Sequence, residues 1–219
     1  MLRILTVCTG NVCRSPLAQA LLADRLAGLP VVIESAGMRA LVDHPMTEET
    51  QRLATDHGIR AEVAESHRAR LATEPILESA DLILALAREH RHGVVDLVPR
   101  RLRATFTLRE LARLAREATD QELAGEVTGV TDPQERLRLL LAFVSSLRGT
   151  IGPPDQPEDD DVIDPYRRSW ETYTLSASQL VPAVDDVARL LRFAVGGGTA
   201  GTASSHVKSW APSERHSWN

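Results

Sequence analysis

Residue types that bind a phosphoryl group and attack it occur together in the segment Cys8-Thr9-Gly10-Asn11-Val12-Cys13-Arg14-Ser15-Pro16. The segment joins an apolar run, residues 3–7, to a helical pattern with Ser15 as the predicted N-cap and Pro16 as the first helical residue. A turn from a buried strand into a helix directs backbone N–H groups at one point, where the helix dipole adds positive potential. The segment therefore predicts an anion site of phosphate size.

Single positions within the segment fit this chemistry. Gly10 is expected to let the loop wind tightly, and Asn11 tolerates a left-handed backbone better than other non-glycine residues. Arg14 supplies a planar fork of donors for two phosphate oxygens. Cys8 stands at the strand end, where its sulfur is expected to point into the cradle as a thiolate that the Ser15 hydroxyl stabilises. We predict Cys8 as the nucleophile and Arg14 as the phosphate ligand.

Alternating strand and helix patterns indicate how the loop is positioned. Short apolar runs predict strands over residues 3–7, 31–33, 81–86 and 104–108. Helical patterns lie between them, and one of these is expected to begin at Thr47 and end at Gly58. Apolar strands that alternate with helices form parallel sheets, so we predict a three-layer α/β fold. Its central four-stranded parallel sheet is covered by helices on both faces.

The C-terminal half is predicted to be mainly helical. Apolar spacing between residues 137 and 147 predicts one amphipathic helix, and a last helix is expected over about 170–195, kinked or divided by Pro182. The acidic run at residues 158–161 between them is predicted to be a loop. Residues 196–219 are rich in small residues and lack periodicity, so we predict a flexible tail, although it contains two tryptophans, Trp210 and Trp218.

Composition narrows the class of protein. The 219 residues include 25 basic and 30 acidic side chains, a net charge of −5, which argues against a general nucleic-acid binder. No apolar run approaches the ~18 residues of a membrane span, and the first strand is too short for a signal peptide. The two cysteines form no disulfide framework, and no metal-ligand spacing is visible. We expect a cytoplasmic protein without metal or cofactor that binds neither nucleic acid nor membrane.

The motifs resemble those of a known family, the low-molecular-weight protein tyrosine phosphatases. Residues 8–16 are similar to its signature loop, and Asp164-Pro165-Tyr166 resembles its Asp-Pro loop. The resemblance covers about residues 1–110 and 160–195, and implies a phosphatase domain over residues 1–195. Three further stretches match the family in order: Glu34-Ser35-Ala36-Gly37, Ser66-His67-Arg68-Ala69-Arg70 and Asp81-Leu82-Ile83-Leu84.

The resemblance implies a role for each matching residue. Asp164 corresponds to the general acid, on a loop that Pro165 stiffens, and Tyr166 is placed to stack against an aryl phosphate. Ser35, together with Asn11, is expected to tie the loop in place, and His67 is expected to brace the structure. Substrate contacts are expected from the remaining loop positions: Thr9, Gly10, Asn11, Val12, Cys13 and Ser15.

Two motifs have competing interpretations. Cys13 matches a second family cysteine that bonds the nucleophile under oxidation, but a small buried packing residue is the alternative. Asp132-Pro133 is a second Asp-Pro pair, which lacks a following aromatic residue and fits the start of a helix, with Asp as the N-cap and Pro as the first residue. We therefore prefer Asp164 over Asp132 as the acid.

The chain also departs from the family pattern. It is longer than a typical member, chiefly in residues 112–157, which we predict to be a helical insertion. Ala85 stands where the family often has Met, and Arg167 stands where tyrosine-specific members carry a second aromatic residue. We predict that Arg167 and Arg168 pair with the nearby acidic run; the alternative is that they favour an acidic substrate.

These features together predict a cysteine-dependent phosphatase that hydrolyses protein phosphotyrosine through a phosphocysteine. Val12 favours phosphotyrosine, because the family's protein-arginine phosphatases carry Thr there. Residues 35–38 and 106–110 resemble the arginine-phosphatase branch, so that alternative stays open. An arsenate reductase using an external thiol and a non-catalytic phosphate-binding module are further alternatives. The module predicts loss of Cys8, Arg14 or Asp164, all of which are present.

Overall fold

The computed structural model of the chain describes residues 1–196, so the tail predicted over 196–219 lies outside them apart from Gly196. Four parallel strands form a single sheet in the order β2-β1-β3-β4. This confirms the predicted four-stranded parallel sheet. The strands are β1 (Leu2–Cys8), β2 (Val31–Gly37), β3 (Leu82–Ala85) and β4 (Thr105–Thr107).

Both faces of the sheet are covered, which accounts for strands that read as continuous apolar runs. Successive side chains point to opposite faces. Ile4 and Leu84 belong to the larger apolar cluster, which also contains side chains of the first and last helices. Leu5 and Ile83 belong to a smaller cluster on the other face. The predicted three-layer α/β architecture is therefore confirmed.

Ten α-helices surround the sheet within the described residues. Two short 3₁₀ helices, Pro99–Ala104 and Pro157–Asp160, lie between them. The second of these covers most of the acidic run that was predicted to be a loop. The α-helices are α1 (Arg14–Arg25), α2 (Glu48–Asp56), α3 (Ala61–Glu65), α4 (Glu74–Ser79), α5 (Arg88–Leu97), α6 (Leu108–Glu117), α7 (Asp120–Glu126), α8 (Pro133–Ser146), α9 (Arg148–Ile151) and α10 (Trp170–Ala194).

The helical insertion predicted over residues 112–157 contributes to the main core. It contains the end of α6 together with α7, α8 and α9. Leu137, Leu140 and Val144 on α8 are buried in the larger cluster, in contact with α10. The Asp132 carboxylate accepts a hydrogen bond from the Glu135 N–H at 2.9 Å and caps α8. The apolar face of α8 therefore thickens one helical layer of the domain.

The predicted start of the first helix is wrong. Helix α1 begins at Arg14, two residues earlier than expected, so Ser15 is not its N-cap and Pro16 is its third residue. The Ser15 Oγ instead lies 3.0 Å from the Cys8 sulfur and accepts a hydrogen bond from Asn11 Nδ2 at 2.9 Å. Helix α10 runs without a break through Pro182, so this residue does not divide it. No helix among residues 1–196 is long and apolar enough to cross a membrane.

Candidate active site

Cys8 lies at the carboxyl end of β1, and its sulfur faces the loop that leads into α1. The side chain is 2% exposed. The Asn11 backbone N–H donates to the sulfur at 3.3 Å, and the Ser15 Oγ lies 3.0 Å from it. The sulfur thus meets one backbone donor and one hydroxyl at the N-terminal end of a helix, an arrangement that stabilises negative charge.

Asn11 holds the loop in shape. Its φ of 58° is left-handed, as predicted from its residue type. Its Nδ2 donates to Ser15 Oγ at 2.9 Å and to Ser35 Oγ at 2.8 Å, and its Oδ1 accepts from the Arg70 N–H at 2.9 Å. The Nε2 of His67 contacts the Asn11 carbonyl oxygen at 2.7 Å. Each polar group of this buried residue therefore has a hydrogen-bond partner. The backbone N–H donates to the Cys8 sulfur, and the other groups bond to neighbouring segments.

The glycine on which the loop geometry depends is Gly37, and the role predicted for Gly10 is wrong. A Cβ on Gly10 would meet only side chains, the nearest at 3.6 Å, and its φ is not left-handed. A Cβ on Gly37, at the end of β2, would lie 2.6 Å from the Thr9 carbonyl oxygen. The Arg39 N–H, two residues further on, donates to that same oxygen at 2.9 Å. The backbone at the end of β2 therefore packs directly against the loop, because Gly37 has no side chain.

Arg14 and Asp164 meet across the site. The Nη2 of Arg14 lies 2.7 Å from Asp164 Oδ2, with the arginine side chain 4% and the aspartate side chain 50% exposed. The other terminal nitrogen of Arg14 donates to the Val162 carbonyl at 3.0 Å. The buried Arg14 guanidinium is thus aimed by the Asp-Pro loop. Asp132 lies at the start of α8, outside this site.

One cavity of about 120 Å³ brings most of the predicted residues together. A larger cavity of about 770 Å³ lies beside β4 and contains none of them. The candidate site is therefore chosen by the residue types that line it and not by the volume of the cavity. Ser35 and Asn11 lie behind the loop as supports, and Ser15 contacts the sulfur from α1. The lining residues are Cys8, Thr9, Gly10, Val12, Cys13, Arg14, Arg39, Leu41, Asp164 and Tyr166.

His90 is a site residue that sequence reasoning missed. It lies in the first turn of α5, is 3% exposed, and places Nε2 2.8 Å from the Thr9 hydroxyl. Burial lowers the pKa of His90 to about 3, and the nearby positive charge of Arg14 adds to the effect. A neutral imidazole therefore supports the loop from α5. The one feature of the sequence that could have indicated this role is the position of His90 shortly after the third strand.

Two other titratable side chains also lie beneath the loop. Burial lowers the pKa of His67, which keeps its ring neutral beside the Asn11 carbonyl. Burial likewise raises the pKa of the Cys13 thiol, whose sulfur lies 3.6 Å from the Tyr173 hydroxyl. Both groups are consequently uncharged near neutral pH.

The predicted pairing of Arg167 and Arg168 with the acidic run does not occur. Arg88 binds Asp161 at 3.0 Å, and Arg113 lies 3.4 Å from Asp160. Arg88 lies on α5 and Arg113 on α6. Both are far from the acidic run in sequence, so these pairs could not be predicted from proximity along the chain. Arg167 instead adopts a left-handed φ of 59° and places its guanidinium 5.2 Å from the centre of the Tyr166 ring.

No cluster of three or more potential metal ligands occurs within residues 1–196. The groups that the structure brings together at the site are a thiol, a guanidinium, a carboxylate and a backbone amide. A nucleophile and an anion ligand with an acid above them are the parts needed for acid-assisted transfer of a phosphoryl group to sulfur.

Comparison with known proteins agrees with this geometry. The chain matches the family described as low molecular weight phosphotyrosine protein phosphatase over residues 3–136. The match covers more than half of the 219 residues, and the chain belongs to this family.

Two relatives and one solved structure illustrate the likeness. The low molecular weight protein-tyrosine-phosphatase Etp of Escherichia coli K12 is 42% identical over 96 residues, which are 44% of this chain and 62% of Etp. The protein-arginine-phosphatase of Bacillus subtilis 168 is 38% identical over 49% of this chain and 70% of that protein. A YwlE arginine phosphatase mutant with a phosphorylated active-site serine aligns with a TM-score of 0.59 and 26% identity, over 87% of this chain and 96% of its own. The matched segment thus spans less than two thirds of Etp.

Protonation of His90 is expected to couple folding to pH. The unfolded chain binds this proton near pH 6.5 and the folded chain near pH 3, so stability falls as the pH falls between these values. His90→Gln keeps a nitrogen near Thr9 and removes the titration. We expect its unfolding free energy to lose up to about 1.4 kcal/mol less per pH unit than the wild type between pH 6 and 4.5. Urea denaturation across this range measures the slope.

The matched control for this experiment is His92→Gln, which removes an exposed imidazole from the same helix. Its slope should follow the wild type. A His90→Gln slope equal to that of the wild type would show that the buried imidazole does not titrate differently on folding.

Proposed function

We propose that this chain is a cysteine-dependent protein phosphatase that hydrolyses phosphotyrosine through a phosphocysteine intermediate. The observation that carries the proposal is the convergence of the Cys8 sulfur, the Arg14 guanidinium and the Asp164 carboxylate on one cavity. The three residues come from the end of β1, the start of α1 and the loop before α10. Only the folded chain brings them together.

In the first step the Cys8 thiolate attacks phosphorus in line with the leaving oxygen. The loop amides and Arg14 bind the other phosphoryl oxygens, whose charge they stabilise in the transition state. Asp164 donates a proton to the tyrosine oxygen as the P–O bond breaks. The sulfur–phosphorus bond forms as the neutral phenol leaves.

In the second step Asp164, now ionised, takes a proton from water as the water attacks the phosphocysteine. The P–S bond breaks, and inorganic phosphate and the Cys8 thiolate are released. The ion pair between Arg14 and Asp164 has a consequence for this cycle. Phosphate oxygens compete with the Asp164 carboxylate for the same guanidinium, so substrate binding frees Asp164 to face the leaving oxygen.

The remaining site residues bind the substrate or support the loop. Tyr166 lines the cavity beside Asp164, where its ring can stack against the substrate ring. Pro165 stiffens the loop that carries the acid. Ser35 holds Asn11 from β2. Binding by amides or side chains of the loop is proposed for Thr9, Gly10, Asn11, Val12, Cys13 and Ser15.

The relatives support this class of reaction. One is named a protein-tyrosine-phosphatase and another a protein-arginine-phosphatase. The YwlE mutant carries a phosphate on its active-site serine, which fits a phosphoenzyme formed on the residue that replaces a nucleophile. A phosphorylated protein is accordingly the proposed substrate of this chain.

Hydrolysis of a phosphotyrosine peptide in the presence of EDTA tests the mechanism. Cys8→Ser is expected to abolish turnover, because a hydroxyl at this position is a far weaker nucleophile than a thiolate. Asp164→Asn is expected to lower kcat by about 10²-fold or more, because the leaving phenolate is no longer protonated. Steady-state release of inorganic phosphate gives both values.

Asp132→Asn is the matched control, since it alters the other Asp-Pro pair and asparagine still caps α8. It should retain wild-type turnover. The proposal fails if folded, reduced wild-type protein releases no phosphate, or if Cys8→Ser retains full activity. Loss of activity on adding EDTA would point to a metal-dependent reaction instead.

A protein-arginine phosphatase is the second candidate, supported by the 38% identity to the Bacillus subtilis enzyme. Val12 lines the cavity, and its branched apolar side chain favours an aryl group over a guanidinium. We expect a higher kcat/KM for phosphotyrosine than for phosphoarginine in matched peptides. Val12→Thr should shift the ratio toward phosphoarginine by about tenfold, as adding or losing one polar contact does. A wild-type preference for phosphoarginine would reverse the assignment.

The arsenate-reductase and binding-module alternatives receive no comparable support. An acid placed over the nucleophile is unexplained in a reductase, and a binding module needs no Asp164 paired to Arg14. Reduction of arsenate with a small external thiol, measured beside phosphatase activity, separates the first alternative. Phosphate binding without turnover would indicate the second.

We propose that Cys13 protects the nucleophile under oxidation. Peroxide converts the Cys8 thiolate to a sulfenic acid with release of hydroxide, and the Cys13 thiol then attacks this sulfur and expels water to form a disulfide. Both cysteines are unpaired in the structure and line the same cavity. After peroxide treatment, mass spectrometry should find this disulfide, and reductant should restore activity. Cys13→Ser should instead be inactivated irreversibly; full recovery of this variant would contradict the proposal.

The same chemistry favours a reducing compartment for this chain. A catalytic thiol needs to remain reduced, so we propose a cytoplasmic location. Cell fractionation that finds the native protein outside the cytoplasm would contradict it.

A further inference from the structure

The rim of the candidate active site carries positive charge that the proposed reaction does not use. Arg39 lines the cavity from the loop after β2, and its side chain is exposed. Arg167 is exposed on the Asp-Pro loop and lies over Tyr166, another lining residue. We call these two residues the basic rim.

Neither residue of the basic rim has a carboxylate partner within 4 Å among residues 1–196. The acids that sequence proximity suggested as partners are taken by Arg88 and Arg113. The one acid that lines the cavity, Asp164, is paired with Arg14. The cavity and its rim therefore carry three guanidinium groups and one carboxylate, in a chain whose net charge is −5. This local excess runs against the sign of the whole molecule.

The rim lies where the residues beside a phosphorylated residue must pass. A phosphotyrosine side chain inserted toward Cys8 leaves its peptide backbone at the mouth of the cavity. Neighbouring Cα atoms are 3.8 Å apart, so residues one or two positions away lie within reach of a long arginine side chain. Arg39 and Arg167 come from two different loops, the one after β2 and the Asp-Pro loop.

We propose that the basic rim selects phosphorylated protein segments with acidic residues next to the phosphorylated position. This inference rests on the proposed phosphatase function and specifies its substrate class. Arg39 and Arg167 act as specificity residues that bind substrate, and they take no part in bond breaking. Their contacts are the same in the ground state and the transition state, so they should act mainly through KM.

Matched phosphotyrosine peptides test the inference. Three peptides of equal length carry Glu, Ala or Lys on both sides of the phosphotyrosine. At about 0.01 M salt we expect the Glu peptide to exceed the Lys peptide about tenfold in kcat/KM, with most of the difference in KM. At about 1 M salt, where the Debye length is about 3 Å, the difference should nearly vanish.

Variants assign the preference to the rim. Arg39→Ala and Arg167→Ala are each expected to lower the Glu-to-Lys ratio about threefold, the size typical of one exposed ion pair. Arg39→Glu should lower it further, because it repels the acidic flank. Arg60→Ala removes an exposed arginine at the start of α3, outside the cavity lining, and should keep the wild-type ratio.

The outcomes separate this inference from the proposed function. Equal kcat/KM for the Glu and Lys peptides, in an enzyme that hydrolyses both, overturns the rim's role and leaves the phosphatase assignment standing. A preference that survives in both alanine variants also overturns it. If para-nitrophenyl phosphate and all three peptides resist hydrolysis, the phosphatase assignment itself is wrong.

Discussion

Asn11 holds a left-handed backbone conformation, with a φ of 58°, in the middle of the loop between Cys8 and Arg14. A non-glycine residue keeps this conformation only where its surroundings stabilise it. Here the stabilisation comes from hydrogen bonds of the Asn11 side chain to Ser15, Ser35 and the Arg70 backbone. Because the Asn11 N–H then points at the sulfur of Cys8, the environment of the proposed nucleophile depends on this one constrained residue.

The sheet supplies the rigidity on which that constraint relies. β1 and β2 pair in register along their whole length, so Cys8 and Gly37 end side by side. The missing side chain at Gly37 lets the β2 backbone contact the loop directly. His90 reaches the other side of the loop from α5, through Thr9. The loop is therefore held from a strand and from a helix, and both elements are anchored in apolar cores on the two faces of the sheet.

The parts of this arrangement that the residues themselves predicted are local in sequence, whereas the distant Asp164 and Ser35 were assigned only through the family resemblance. Cys8 and Arg14 lie in one short segment whose geometry follows from a strand that leads into a helix, and the alternation of strands and helices indicates the parallel sheet. The roles of Gly37 and His90 were not predicted, because they arise from contacts between distant segments. The partners of Arg167 were misjudged for the same reason, since proximity in sequence suggested an acidic run that tertiary packing gives to other arginines.

The distribution of charge follows from that packing. Asp161 lies at the N-terminus of α5, where its carboxylate accepts from the Arg88 N–H at 2.7 Å and complements the helix dipole. Asp160 is drawn toward Arg113 on α6. These contacts fix the segment that leads to Asp164 and pair its Asp160 and Asp161 carboxylates with arginines of α6 and α5. The same contacts that position the proposed acid thus leave the arginines of the mouth free to meet negative charge on a substrate.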